Sequence, residues 1–265
     1  MLPYIVEEVA SPVMILLSTL ALATVSAQAQ SAYLAAFDVA GATERKRAER
    51  FGRQLDRLSY QLAHGFLRHV LAQEAGCDPE ELRLSVSANG KPICPGGPFF
   101  NMSHTADWIA VAVSSSRDVG LDVEAVAATG AQVHRVPMAV AAEDEGVLPL
   151  LDRRREQAET MLWSIKEAAL KLTGEVMTDP GHMAVRRRRD GLFHVSPSRA
   201  ARAPFHDAFV RQVRLGDTHV LSLATYEPVP ASQITVSPEC WHGPPGPNIQ
   251  ARVEQRSPSF LDFHL

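Results

Sequence analysis

Apolar and polar positions alternate in two rhythms along this chain, and the changes of rhythm mark its elements. Between Thr43 and Gln73, residues Leu55, Leu58, Leu62, Phe66, Leu67 and Val70 recur three and four apart, with Arg and Gln between them. That spacing predicts one or two amphipathic helices. Ala32–Asp38 (AYLAAFD) reads instead as a short buried strand. Ser85–Ile93 contains Asn89-Gly90, a dipeptide that turns a chain through positive φ. Trp108–Val113 (WIAVAV) is a buried strand, and Val119–Val123 a second. Helical sequence follows at Met138–Leu148 and Arg153–Leu172, then strand-like stretches at Leu192–Val195, Ala208–Leu215 and His219–Tyr226.

Each half of this succession runs strand, helices, strands. The pattern predicts an α+β fold of two similar halves, residues 31–117 and 118–228, with a ligand cleft between them. Residues 229–265 are rich in Pro, Gly and Ser and read as a poorly ordered tail. Residues 1–30 are read as an apolar extension. The run Val13–Val25 is followed by Ala27-Gln28-Ala29, which resembles a cleavage site for export. Glu7 and Glu8 precede it with no Lys or Arg, against a secretory signal, and the run is short for a membrane span. It is expected to be a helix packed on the domain, or a segment with no role in the fold.

Composition adds mainly exclusions. With 46% hydrophobic and 21% charged residues, 265 residues can bury a substantial core. A formal net charge of −4 argues against a nucleic-acid binder. The arginine runs 153–155 and 186–189 lack interleaved aromatics and read as solvated. Three cysteines (Cys77, Cys94 and Cys240) without ligand-like spacing argue for neither a disulfide scaffold nor a zinc site, and they suit the cytoplasm.

The candidate chemistry lies in the middle of the chain. Asp122 and Glu124 are two apart on a strand and therefore share one face. They are either a solvated strand end or a pair whose repulsion a cation relieves. Glu167 and Lys171, four apart on a helix, share a face with Trp163. Alone they read as a surface ion pair, but beside Asp122 and Glu124 they would complete an oxygen-rich site suited to Mg²⁺ and phosphate. Ser103 and His104 can both donate to phosphate, although a lone histidine is more often a satisfied polar residue. A Ser–His hydrolase is weakly supported, since adjacent residues rarely present nucleophile and base to each other and no G-x-S-x-G occurs. Lys91 follows the Asn-Gly turn near the same loop.

Taken together, Gly90-Lys91-Pro92, Phe100-Asn101-Met102-Ser103-His104 with Trp108, Val119-Gly120-Leu121-Asp122-Val123-Glu124, and Trp163-Ser164-Ile165-Lys166-Glu167-Ala168-Ala169-Leu170-Lys171 resemble the Sfp-type 4'-phosphopantetheinyl transferase family. The resemblance runs from about Ala32 to Tyr226. It implies a pseudo-twofold α+β fold with coenzyme A between the halves, and transfer of its phosphopantetheine arm to a serine of an apo acyl or peptidyl carrier protein. It implies Asp122, Glu124 and Glu167 as Mg²⁺ ligands, Glu167 also as the base, and Lys171 on the pyrophosphate. Lys91, Ser103 and His104 would contact the nucleotide, and the chain would act as a monomer. Arg50, Arg53 and Arg57 would meet phosphate from one helix face, though Ser59 stands where many relatives carry another arginine. Arg153–Arg155 could meet an acidic carrier. Two other readings stay open: a non-catalytic coenzyme A or carrier-binding protein, and another Mg²⁺-dependent phosphohydrolase.

Overall fold

The computed structural model describes residues 14–22, 25–126, 140–174, 179–201 and 205–238. Ile15–Ala21 forms β1, and this is the first departure from expectation. The apolar run is neither a helix nor an appendage but an interior strand of a sheet. β1 pairs antiparallel with β5 (Trp108–Ser114) and parallel with β11 (Ile234–Pro238). β4 (Phe99–His104) completes the order β11-β1-β5-β4. An interior strand covered on both faces must be apolar on both, which accounts for the unbroken run. Leu16 and Leu20 pack on one side, Ile15 and Leu17 on the other. The pairing of β11 also places part of the expected tail within the fold. Residues 239–265 lie outside the described ones.

Ala32–Asp38, expected as a strand, belongs to the helix α1 (Ala27–Asp38). Ser26 caps it, its Oγ accepting from the Ala29 N–H at 3.1 Å. Ala29, Tyr33, Ala36 and Phe37 form the buried stripe, a period of 3.6 rather than 2. The expected basic helix is two: α2 (Ala42–Glu49) and α3 (Gln54–Ala75). α3 closes on α1 at Gly65, where a Cβ would lie 1.8 Å from the Tyr33 carbonyl oxygen. Tyr33 and Phe66 meet edge to face, their ring centroids 5.3 Å apart. The Asn-Gly turn is present between β2 (Ser85–Val86) and β3 (Pro92–Ile93), with Gly90 at φ 81°.

The second sheet is wholly antiparallel, in the order β6-β10-β9-β8-β7. Its strands are β6 (Gly120–Ala125), β7 (Met183–Arg187), β8 (Phe193–Pro197), β9 (Ala208–Leu215) and β10 (His219–Thr225). Of the helix expected over Met138–Leu148, positions 138 and 139 lie outside the described residues. The remainder holds a 3₁₀ turn at Ala142–Asp144 and the start of α4 (Leu148–Leu151). α5 (Arg155–Thr173) covers this sheet with Leu162, Ile165, Ala169 and Leu172, the stripe its sequence predicts. A third apolar cluster joins Ile15, Leu17, Ala110 and Ala112 to Leu121, Val123, Leu221 and Leu223, so the sheets meet through their helix-free faces. The fold is thus mixed α+β, with two sheets each packed against helices. No helix among the described residues is long and apolar enough to cross a membrane.

Candidate active site

The site grows from the seam between the two sheets, where β4 lies beside β6. Side chains of β4 satisfy the backbone of β6 in place of a regular ladder. Asn101 Oδ1 accepts from the Leu121 N–H (3.3 Å), and Ser103 Oγ accepts from the Val123 N–H (3.2 Å). A strand period of two puts Asn101 and Ser103 on one face, which is why they serve this seam together. On β6, Leu121 and Val123 enter the apolar cluster between the sheets, and Asp122 and Glu124 take the opposite face.

α5 approaches that acid-bearing face closely because residue 120 is glycine. A Cβ there would lie 2.0 Å from the Ala168 carbonyl oxygen and 2.5 Å from the Leu172 nitrogen. The approach lets Lys171 reach Asp122. Lys171 Nζ donates to Asp122 Oδ1 at 2.7 Å and to Ser103 Oγ at 3.0 Å. Ser103 Oγ in turn donates to Asp122 Oδ1 at 3.1 Å. Asp122 is 3% exposed, and among the described residues its buried Oδ2 has no hydrogen-bond partner.

The other two acids both feel the charge of Asp122. Burial, and then the Asp122 carboxylate, push Glu124 up to about 7, against Lys171 and a hydrogen bond from the Trp163 indole, with Glu167 adding to the rise. Burial and Asp122 also raise Glu167, and Lys171 opposes them. Among the described residues no three His, Cys, Asp or Glu side chains are gathered as a ready metal cluster. The Lys171 ammonium supplies the positive charge beside Asp122 instead. The donor chemistry nevertheless suits a hard cation: an orphaned buried carboxylate oxygen, and two neighbouring carboxyls that resist ionisation until positive charge arrives.

Beside these groups lies a cavity of about 320 Å³. α3 supplies His64 and Leu67, the β2–β3 turn Gly90, Lys91 and Pro92, β4 Phe100–Met102, and α5 Glu167, Leu170 and Lys171. Both sheets' helices therefore contribute walls. Lys91 is no free cation: its Nζ reaches Asp118 Oδ1 (2.8 Å), the Leu172 carbonyl (3.2 Å) and the Val119 carbonyl (3.4 Å). It braces the turn against the end of α5 and the entry to β6. The Ser103 hydroxyl likewise uses its single donor and both acceptors within the seam. His104 ends β4, and its pKa is lowered by desolvation first and then by the charges of His64 and Lys171, against a backbone hydrogen bond with Thr105.

The arginines fall otherwise than expected. Arg50 caps the end of α2, Arg53 precedes the first turn of α3, and only Arg57 lies in a helix interior. The break at Phe51-Gly52 separates them, so they share no single helix face. All three are exposed, and none lines the cavity. The sequence reading missed His64, and also a fully buried ion pair, Lys166 Nζ to Asp144 Oδ2 at 2.6 Å. Position 166 shares the motif of Glu167, but its partner lies 22 residues upstream with no signal joining the two.

Residues 27–116 match the family described as 4'-phosphopantetheinyl transferase, N-terminal. The chain is 27% identical over 204 residues to the 4'-phosphopantetheinyl transferase psf-1 of Bacillus pumilus, covering 73% of this chain and 82% of that protein. It is 30% identical over 142 residues to the 4'-phosphopantetheinyl transferase HetI of Nostoc sp., covering 50% of this chain and 58% of the relative. It is also 27% identical over 153 residues to the 4'-phosphopantetheinyl transferase Sfp of Bacillus subtilis, covering 56% and 66%. The chain thus spans most of the first relative's length and less than two thirds of the other two.

Proposed function

We propose that this chain, which belongs to the 4'-phosphopantetheinyl transferase family, moves phosphopantetheine from coenzyme A to a serine hydroxyl of an apo carrier protein. The observation that carries the reading is the pair Glu167 and Lys171, one helical turn apart on the cavity wall, with Lys171 bonded to the buried Asp122. The serine oxygen bonds to the β-phosphorus of coenzyme A as the bond from that phosphorus to the 3',5'-ADP oxygen breaks. The electron pair leaves with 3',5'-ADP, and the serine proton passes to Glu167.

Each group suits its part. A carboxyl raised by burial and by the Asp122 charge is a better proton acceptor than an ordinary glutamate. Lys171 would offset the negative charge that gathers on the 5'-phosphate of the departing 3',5'-ADP, and its half-buried setting strengthens that effect. Asp122, Glu124 and Glu167 would hold Mg²⁺, which when bound neutralises diphosphate charge. The apolar side chains of Leu67, Pro92, Phe100 and Leu170 line the remainder of the cavity. The two sheets, each with its own helices, support a reading as two related halves about a pseudo-twofold axis.

The test is intact mass of an apo carrier protein incubated with this chain, coenzyme A and Mg²⁺. The expected result is a gain of one phosphopantetheine, lost with EDTA and with Asp122→Ala. Binding of coenzyme A without a gain on fatty-acid, polyketide or peptide carriers would establish the non-catalytic reading instead. Hydrolysis of coenzyme A with no carrier present would establish the phosphohydrolase.

A further inference from the structure

His64 lines the cavity but belongs to none of the groups discussed above. It is the middle member of a row four residues apart on α3: Tyr60, His64, Arg68. Each neighbour fixes it. The Tyr60 ring lies against the imidazole with centroids 4.1 Å apart and planes tilted 33°. Glu44, from α2, meets His64 Nδ1 at 3.1 Å through Oε1 and Arg68 Nη2 at 2.8 Å through Oε2. Oε2 also accepts the Gly41 N–H at 3.2 Å. Arg68 is 3% exposed, so the carboxylate is clamped by a side chain that has itself left water.

We infer that His64 is a ligand-binding residue, offering Nε2–H to a phosphate oxygen of coenzyme A while Glu44 holds the ring by Nδ1. The inference rests on the transferase reading above. Its geometric basis is the division of labour between the two ring nitrogens. Nδ1 is taken by Glu44, and among the described residues Nε2 has no hydrogen-bond partner on a side chain that forms the cavity wall. A carboxylate on Nδ1 fixes the ring's orientation, and an anion at Nε2 would be met by the N–H of the ring that carries a proton on both nitrogens. Although burial opposes its ionisation, the bonds from His64 and Arg68 hold Glu44 down at about 2, so it remains a carboxylate throughout the working range. Lys171, from α5, lines the same cavity, so a phosphate held there would meet side chains from two helices.

Calorimetric titration of the full chain with coenzyme A and Mg²⁺, without a carrier, tests this. His64→Asn places an amide near the position of Nδ1 and removes Nε2. It should keep the Glu44 contact yet weaken binding on the order of tenfold or more, the size of one hydrogen bond to a charged group. His64→Gln, whose amide reaches the position of Nε2, should recover part of that loss. The loss should persist against 3'-dephospho-coenzyme A if the diphosphate is the partner, and vanish if the 3'-phosphate is. An equal loss against adenosine, which has no phosphate, overturns the assignment. So does native affinity in His64→Asn. Should that variant fold poorly, the native protein still decides: the His64 ring resonances should shift on addition of 3',5'-ADP, and unmoved resonances overturn the inference. Failure of the native chain to bind coenzyme A at all would instead remove the transferase reading, and this inference with it.

Discussion

Lys171 Nζ lies 2.7 Å from Asp122 Oδ1, joining the last turn of α5 to the middle of β6. Asp122 is almost wholly buried and Lys171 about one third exposed, so the pair sits at the boundary between core and cavity. Removing the lysine leaves a buried carboxylate supported, among the described residues, only by Ser103. Lys171→Ala should therefore melt at a lower temperature than the native chain, since an unpaired buried charge is costly. Turnover should fall roughly a hundredfold, as expected for loss of one electrostatic stabiliser. Added Mg²⁺ should restore part of the melting temperature, and calorimetric scans with and without the ion measure it.

Glu167 is assigned the serine proton. Glu167→Ala should lower turnover by at least about two orders of magnitude, the usual worth of acid–base help, while circular dichroism stays native-like. A folded variant with native turnover would remove Glu167 from the reaction.

The raised pKa of Glu124 makes a prediction about stability and pH. A carboxyl at about 7 in the fold and near 4.5 when unfolded holds its proton more tightly in the folded state. Stability linked to this group is therefore present below about pH 4.5 and lost as pH rises towards 7. The melting temperature of the metal-free native chain should fall relative to Glu124→Gln between pH 5 and 7.5. Mg²⁺ should narrow the gap at the upper end. Parallel curves for the two proteins would falsify the raised value.

Gly120 is where α5 and β6 touch. Gly120→Ala should destabilise the chain by about 3 kcal/mol or more, because the clash is with backbone atoms that cannot rotate away. Denaturant titration reads the cost. Transfer activity should fall further than stability alone predicts, since any retreat of α5 lengthens the Lys171–Asp122 bond.

β1 is an interior strand, so polar substitution on either face should be costly. Leu17→Asp and Leu20→Asp, at sites 3% and 2% exposed, should each lose about 3 kcal/mol or more and shift the chain towards aggregation. Wild-type solubility and melting in both variants would mean the strand is dispensable.

Much of the candidate site was legible because local periodicity carries it. Asp122 and Glu124 two apart on a strand, and Glu167 and Lys171 four apart on a helix, must share faces wherever those elements form. The elements at 108–114, 120–125, 155–173 and 208–215 follow their patterns closely. The misreadings had a common cause. Ala32–Asp38 is short and apolar, and such a run reads equally well as strand or helix until its cap and partner are known. Ile15–Ala21 reads from its sequence as a packed helix or an idle extension because a short apolar run has no period that tells an interior strand from either.

By itself the amino-acid sequence determined the α+β class, the resemblance to a family and the identity of the acids and lysine at the candidate site, since each rests on spacing within one element or on a contiguous motif. Only the tertiary structure decided what those residues touch. It spent Ser103 and Lys91 on bracing the site, paired Lys171 with Asp122, parted the arginines at the break between two helices, and brought His64 to the cavity on a glutamate twenty residues away. The reason is physical: hydrogen-bonding capacity is finite, and which partner claims it depends on which elements approach closely enough, a distance set here by residues such as Gly120 and not by the chemistry of the motif.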